Sequence, residues 1–323
     1  NGEPLTYNPT LDLFEENAVL SETPFGSGDV IESFTNLEPR ASARFLWNET
    51  SSLKASYNRN YQYLHLISNS ASATPLDIWA PSGPFLEPQF SDQYALGYFK
   101  TLKDNAFDFS VEAYYKDFRD ITDFVDGADL LFEEAIGTQV VQGDGRAYGM
   151  EFQLNKNSGK LTGWLSYTLS RTERQILGIN NNEYYPANND QTHEVSLVGI
   201  YKLNDRWEFG ANFVYGSGRP VTFPTGKFEQ EGLIVADFDN RNGNRLPAFH
   251  RLDLSATLNP KKGGNGTWIF SIANAYNRQN AATIFFRERT QEINDVDIPL
   301  GTTEASKFSF LGIVPSVTYQ FKF

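Results

Sequence analysis

A chain of 323 residues with a formal net charge of −13 lacks the basic surplus that nucleic-acid binding requires, and with no cysteine it builds neither a disulfide framework nor a thiolate metal site. Its mean hydropathy is −0.44, and no run approaches the roughly 18–20 apolar residues of a membrane-spanning helix. Those values leave a membrane β-barrel open, because half of each barrel strand faces a polar lumen, and an aromatic content of 15% suits the girdles of such barrels.

In chain order, segments alternating with a period of two fall at 38–47, 51–58, 93–102, 106–117, 147–156, 160–171, 192–202, 207–216, 249–259, 267–277 and 308–323. In 106–117, Phe107, Phe109, Val111, Ala113 and Tyr115 oppose Asp108, Ser110, Glu112 and Lys116. In 207–216, Trp207, Phe209, Ala211, Phe213 and Tyr215 oppose Glu208, Gly210 and Asn212. The last segment sets Leu311, Ile313, Pro315, Val317, Tyr319, Phe321 and Phe323 against Gly312, Ser316, Thr318, Gln320 and Lys322. No stretch has comparable helical spacing, so the chain is expected to be all-β.

Short connections at 48–50, 103–105, 157–159, 203–206 and 260–266 alternate with long polar ones at 59–92, 118–146, 172–191, 217–248 and 278–307. Long loops are uncommon in compact domains. Their strict alternation with tight turns is the pattern of an antiparallel transmembrane β-barrel. A soluble sandwich rarely puts five such loops at one end, and a propeller would show a repeat that this sequence lacks. Strand parity then places the end of the last strand in the periplasm and residues 1–36 in an external loop. Bacterial barrels close with an even strand count. About 11 strands with an external start are therefore expected to be the carboxy-terminal portion, residues 1–323, of a larger barrel.

The apolar-row aromatics Tyr115, Tyr167, Trp207, Tyr215, Trp268, Tyr276 and Phe323 are candidates for the membrane interfaces. The loop 59–92 holds Tyr61, Tyr63, His65, Trp79 and Phe85, candidates for ligand contact from outside. Arg146, Arg171, Arg219, Arg245 and Arg251 are expected at strand ends or toward the lumen. The run Asp237 to Gly243 has some of the acidic spacing of a calcium loop, but Arg241 occupies a ligand position. No metal site, cofactor or catalytic residue is assigned. The three histidines are scattered, and no HExxH, GxSxG or phosphate-cradling glycine loop occurs, so an enzyme is not expected.

Several runs resemble the TonB-dependent outer-membrane receptors of Bacteroidota type. They are Leu37-Glu38-Pro39-Arg40, the run Leu53 to Arg59, the run Tyr61 to Leu66, and the run Gln93 to Tyr98. The run Gly145 to Glu151, the run Gly163 to Arg171, the run Arg219 to Pro224, the run Phe249 to Asp253 and the terminal Phe323 continue the match in order along the chain. The resemblance implies an outer-membrane location and a barrel of about 22 strands enclosing an amino-terminal plug. In that case the plug and the first half of the barrel would lie outside these residues. It also implies import of a scarce solute such as a siderophore, vitamin, glycan or peptide, driven through the TonB–ExbB–ExbD complex. Expected neighbours are membrane lipid, lipopolysaccharide, the plug, the other barrel half and a surface lipoprotein. The alternative is a structural barrel that docks other envelope components.

Overall fold

The computed structural model describes residues 5–8, 13–16, 26–67, 78–84, 86–125, 140–230, 233–262, 264–293 and 296–322. Its main feature is one antiparallel sheet whose eleven principal strands pair in sequence order. We number them β1 (Arg40–Asn48), β2 (Ser51–Gln62), β3 (Gln89–Leu102), β4 (Phe107–Phe124), β5 (Val140–Lys156) and β6 (Leu161–Ile176). β7 (His193–Lys202), β8 (Trp207–Gly216), β9 (Phe249–Leu258), β10 (Gly266–Ala273) and β11 (Val314–Phe321) complete the path. Along this path each strand pairs with its predecessor and successor, β6 also takes the short strand Tyr185–Pro186, and among the described residues β1 and β11 each keep one unpaired edge.

Because successive side chains alternate, the register sorts the sheet into two faces. One face carries the apolar rows. Leu165 pairs Leu154, Tyr167 pairs Phe152, and Leu169 pairs Met150 across β5 and β6. On the opposite face Ser166 pairs Gln153 and Thr168 pairs Glu151. Slipping one residue would exchange the two faces, so the register is strongly specified. Glycines allow the strands to approach closely. Gly163 in β6 has φ of 149°, faces Gly199 of β7 and has no room for a Cβ beside the Val198 carbonyl.

β4, β5 and β6 span 18, 17 and 16 residues, well beyond the roughly 9–11 that cross a membrane. Their extra length lies at the long-loop end. Small hairpins also stand there, including Leu64–Ile67 with Ile78–Pro81, Pro224–Gln230 with Leu233–Phe238, and Thr283–Ile293 with Val296–Phe308. The buried apolar clusters sit in the same region: Ile67, Ala80 and Leu86 in one, Ile176, Ile179 and Tyr185 in the other. A one-layer wall has no second sheet to pack against, so its core gathers where loops fold back on strand ends.

All eleven expected segments correspond to wall strands, but the last one is shorter than its alternation implies. Phe308 ends the hairpin strand that pairs with Thr283, and the wall strand begins at Val314. Between them the backbone is taken up by amide side chains of the preceding turn. Asn277 Oδ1 accepts from the Ile313 N–H at 3.0 Å, and Asn274 Nδ2 donates to the Leu311 carbonyl at 3.4 Å. These contacts replace the ladder that a continuous strand would need.

Candidate functional site

Asp123 is the hub of the long-loop end. It lies near the end of β4, beyond a bulge between Phe118 and Ile121, and pairs with Val141 of β5 on the polar face. Its carboxylate meets Arg241 Nη1 at 3.0 Å, Arg174 Nη1 at 3.3 Å and the Tyr185 hydroxyl at 2.8 Å. Arg241 comes from the loop between β8 and β9. Its guanidinium also donates to the Phe124 carbonyl at 2.7 Å and lies 4.5 Å over the Phe124 ring. Burial first, and then the Asp123 carboxylate, pushes the Tyr185 phenol above its ordinary pKa, so it remains a donor at neutral pH.

Amide side chains extend these ties. Asn180 Nδ2 donates to the Arg241 carbonyl at 2.9 Å, and Asn180 Oδ1 accepts from the Arg241 N–H at 2.8 Å. Asn242 Nδ2 reaches the Pro186 carbonyl at 2.8 Å and Asn188 Oδ1 at 2.6 Å. A second buried carboxylate, Asp190, accepts from Arg245 and from the Thr172 N–H at 2.7 Å. The outer end of β4 and the connections β6–β7 and β8–β9 are thereby joined into one rim. Asn180, Asn181, Asn182 and Asn242 all have φ between 47° and 63°, a left-handed region that asparagine tolerates better than most residues.

The rim encloses a cavity of about 820 Å³, lined on its floor by Asp123, Phe124 and Arg241 and at its mouth by Asn181, Asp239 and Asn240. Pro220 and Val221 line both this cavity and a second one of about 720 Å³, which continues along the wall past Thr168, Glu194 and Ser196. Together the two run from the loop end toward the polar face, the second with Val195, Val214, Leu246 and Phe249 in its lining. Among the described residues no cluster of His, Asp and Glu has metal-binding form.

Residues 16–277 match the family model described as TonB dependent receptor-like, beta-barrel. The chain belongs to the TonB-dependent receptor family. Its homologues are outer-membrane β-barrel proteins that act as receptors and transporters, not enzymes. No curated protein matches the chain.

Among solved receptors, the chain is similar to the pyoverdine receptor FpvA of Pseudomonas aeruginosa PAO1, with 12% identity and a TM-score of 0.57 over 88% of this chain and 36% of that one. It is similar also to the siderophore receptor PiuA of Acinetobacter baumannii, with 15% identity and a TM-score of 0.56 over 87% of this chain and 35% of that one. The ferric-catecholate import receptor Fiu of E. coli K12 gives 13% identity and a TM-score of 0.53 over 87% of this chain and 34% of that one. At these identities the likeness concerns the fold, and the chain spans about a third of the length of the receptors it matches.

Within this receptor wall, the aromatics singled out by the sequence share the apolar face at two levels. Tyr57, Tyr94, Tyr115 and Tyr148 are in continuous register across β2 to β5 at the long-loop end. Tyr167 bonds His193 at 2.9 Å, and Tyr276 bonds His250 at 2.8 Å, with Tyr215 paired to the same His250. At the tight-turn end Trp207, Leu258, Trp268 and Tyr319 form one row. Phe323 and Phe85 lie outside the described residues.

The other loop candidates are dispersed. His65 is buried at 2% exposure with Nε2 3.0 Å from Ser82 Oγ, and burial lowers its pKa. Tyr61 stacks on Phe90 with centroids 5.1 Å apart, Tyr63 is half exposed beside Tyr61, and Trp79 is exposed. They do not line the Asp123–Arg241 cavity.

Two of the arginines expected at strand ends or toward the lumen follow the first course. Arg146 and Arg171 lie at strand ends but continue the apolar-face rows, since Arg171 pairs Tyr148 and Glu173 pairs Arg146 beyond Leu169 and Met150. There they clamp Glu173 at 2.8 and 2.9 Å. Two further pairs stand in the same outer zone: Arg59 with Asp92 at 2.5 Å, and Arg119 with Asp144 at 2.6 Å. The alternation that marks a membrane strand continues past the apolar band, so an even spacing alone does not say where the face turns polar. Asp123 and Asn180 could not be read from sequence as one site, because their local signals are separate: the acidic run Asp117 to Asp129 and the asparagine-rich run 180–182.

Proposed function

We propose that this chain forms part of the wall and outer mouth of a TonB-dependent active importer, with the tight-turn end in the periplasm and the long loops outside. The observation that carries this reading is the asymmetry of the wall. One end has only tight turns, whereas at the other, two long connections and the outer end of β4 are tied around a polar cavity of about 820 Å³. A fixed mouth of this kind can retain a dilute solute while a gate below it opens.

In the complete receptor the remaining strands close the barrel between the free edges of β1 and β11, and a plug domain fills the lumen against the polar face. Energised TonB, working with ExbB and ExbD, then displaces the plug. The two aromatic levels meet lipid and lipopolysaccharide headgroups. In β8, Trp207 and Tyr215 are separated by about 27 Å of strand at roughly 3.4 Å per residue. Tilted by about 40°, that length covers about 21 Å along the membrane normal, within the roughly 25 Å apolar band of outer-membrane barrels.

The reading is tested in cells that make the full-length receptor, alongside a deletion strain and a strain lacking TonB. Uptake is followed for ferric siderophores, cobalamin, neutral oligosaccharides and oligopeptides. The expected result is one class whose accumulation falls in both mutants and on proton-gradient collapse. Unchanged uptake of every class would make the barrel a structural component instead.

A further inference from the structure

Resting on the import reading above, we infer that the rim cavity binds an uncharged polyhydroxylated ligand, such as a segment of a neutral oligosaccharide. The argument starts from charge. Arg241 on the floor and Arg174 beside it both face Asp123, at 3.0 and 3.3 Å. Asp239 at the mouth makes no ion pair or hydrogen bond among the described residues, so among those residues two guanidinium groups stand against two carboxylates and the charges cancel. An anionic metal complex entering the cavity would meet the Asp239 carboxylate first and find no net positive charge among the described residues to draw it in.

The hydrogen-bonding groups suit sugar hydroxyls. Asn181, Asp239 and Asn240 are exposed at the mouth, and none of their side chains is engaged among the described residues. Planar amides and carboxylates accept and donate in pairs at a spacing that matches adjacent hydroxyl groups. Behind them Asn180 and Asn242 are fully committed to the Arg241, Pro186 and Asn188 contacts, which hold the mouth in position. Asn181 is also held in a left-handed backbone conformation with φ of 55°. Strained residues of this kind tend to collect where a binding surface is preorganised.

Phe238, 56% exposed on the cavity edge, supplies the third element. Its ring is available to stack against the C–H face of a pyranose, whereas one face of Phe124 is already covered by Arg241. Open amides, one carboxylate and one bare ring form a surface for a ligand with many hydroxyls and no net charge.

The test uses purified full-length receptor and calorimetric titration with neutral gluco-, manno- and xylo-oligosaccharides, with ferric citrate and a ferric catecholate as anionic arms. Binding is expected for a neutral oligosaccharide, and Asp239→Ala with Asn240→Ala should weaken it by about tenfold or more while the barrel keeps its heat-modifiable gel mobility. Phe238→Ala should weaken the same ligand. Binding of the anionic arms alone, or of no neutral oligosaccharide, overturns the inference. So does a neutral ligand whose affinity the substitutions leave unchanged. TonB-dependent uptake of a ferric complex in cells would overturn this inference and leave the import reading standing.

Discussion

Asp123 and Arg241 stand 118 positions apart in the chain, yet their side chains meet at 3.0 Å with less than a tenth of either exposed. A buried pair of this kind costs several kcal/mol to break by removing one partner, because the other charge is stranded. Here Arg174 and Tyr185 still engage Asp123 when Arg241 is removed, so the loss is smaller: Arg241→Ala should free the loop between β8 and β9 from the rim at a local cost of about 1–3 kcal/mol. Hydrogen exchange of the full-length receptor should show faster exchange at 217–248 while the wall strands stay protected. Unaltered exchange there would mean that the amide contacts of Asn180 and Asn242 suffice without the ion pair.

The wall offers a second check at Gly163. A side chain there must both adopt an unfavourable φ and displace the Val198 carbonyl. Gly163→Ala should destabilise the barrel by about 1–3 kcal/mol, read as a lower temperature for loss of the folded gel form. Alanine at Gly83, where a Cβ meets nothing, should be nearly neutral.

His65 gives the outer hairpin a pH dependence. Burial lowers its folded-state pKa below the ordinary histidine value of about 6.5. The folded state therefore favours the neutral ring. Above the unfolded pKa both states are neutral and the hairpin keeps its full stability. As pH falls below about 6.5 the unfolded state takes up the proton first, so stability drops until the folded pKa is passed and then levels off. Exchange at Leu64–Ile67 and Ile78–Pro81 should accelerate between neutral pH and pH 5, and His65→Gln should remove most of that change.

Orientation is accessible to labelling. Single cysteines at Leu177 and Asn240, both exposed at the long-loop end, should react with a membrane-impermeant maleimide on intact cells. Cysteines at Asn105 and Ser158, in the tight turns, should react only after the outer membrane is opened. The opposite pattern would invert the proposed topology.

Much of the wall could be read from residue alternation, because a membrane strand must separate lipid-facing from lumen-facing side chains along its whole length. The segments at 160–171 and 207–216 became β6 and β8 with the expected faces. Alternation failed where it had no lipid to answer to. Residues 308–313 keep the pattern but leave the ladder for the Asn274 and Asn277 side chains, and Arg146 and Arg171 continue an apolar row into the aqueous zone. The rim was not legible because its contacts join loops far apart in sequence, and nothing local marks Asp123 as a partner of Arg241.

The same contrast bears on the order of assembly. Every wall strand pairs with its immediate neighbours in sequence, so the sheet can grow one hairpin at a time, each closure spanning a single connection. The Asp123–Arg241 contact needs β4 through β8 to be in place before its two halves can meet. The mouth can thus set only after that stretch of wall has paired, which makes wall pairing and mouth closure two separate stages of assembly.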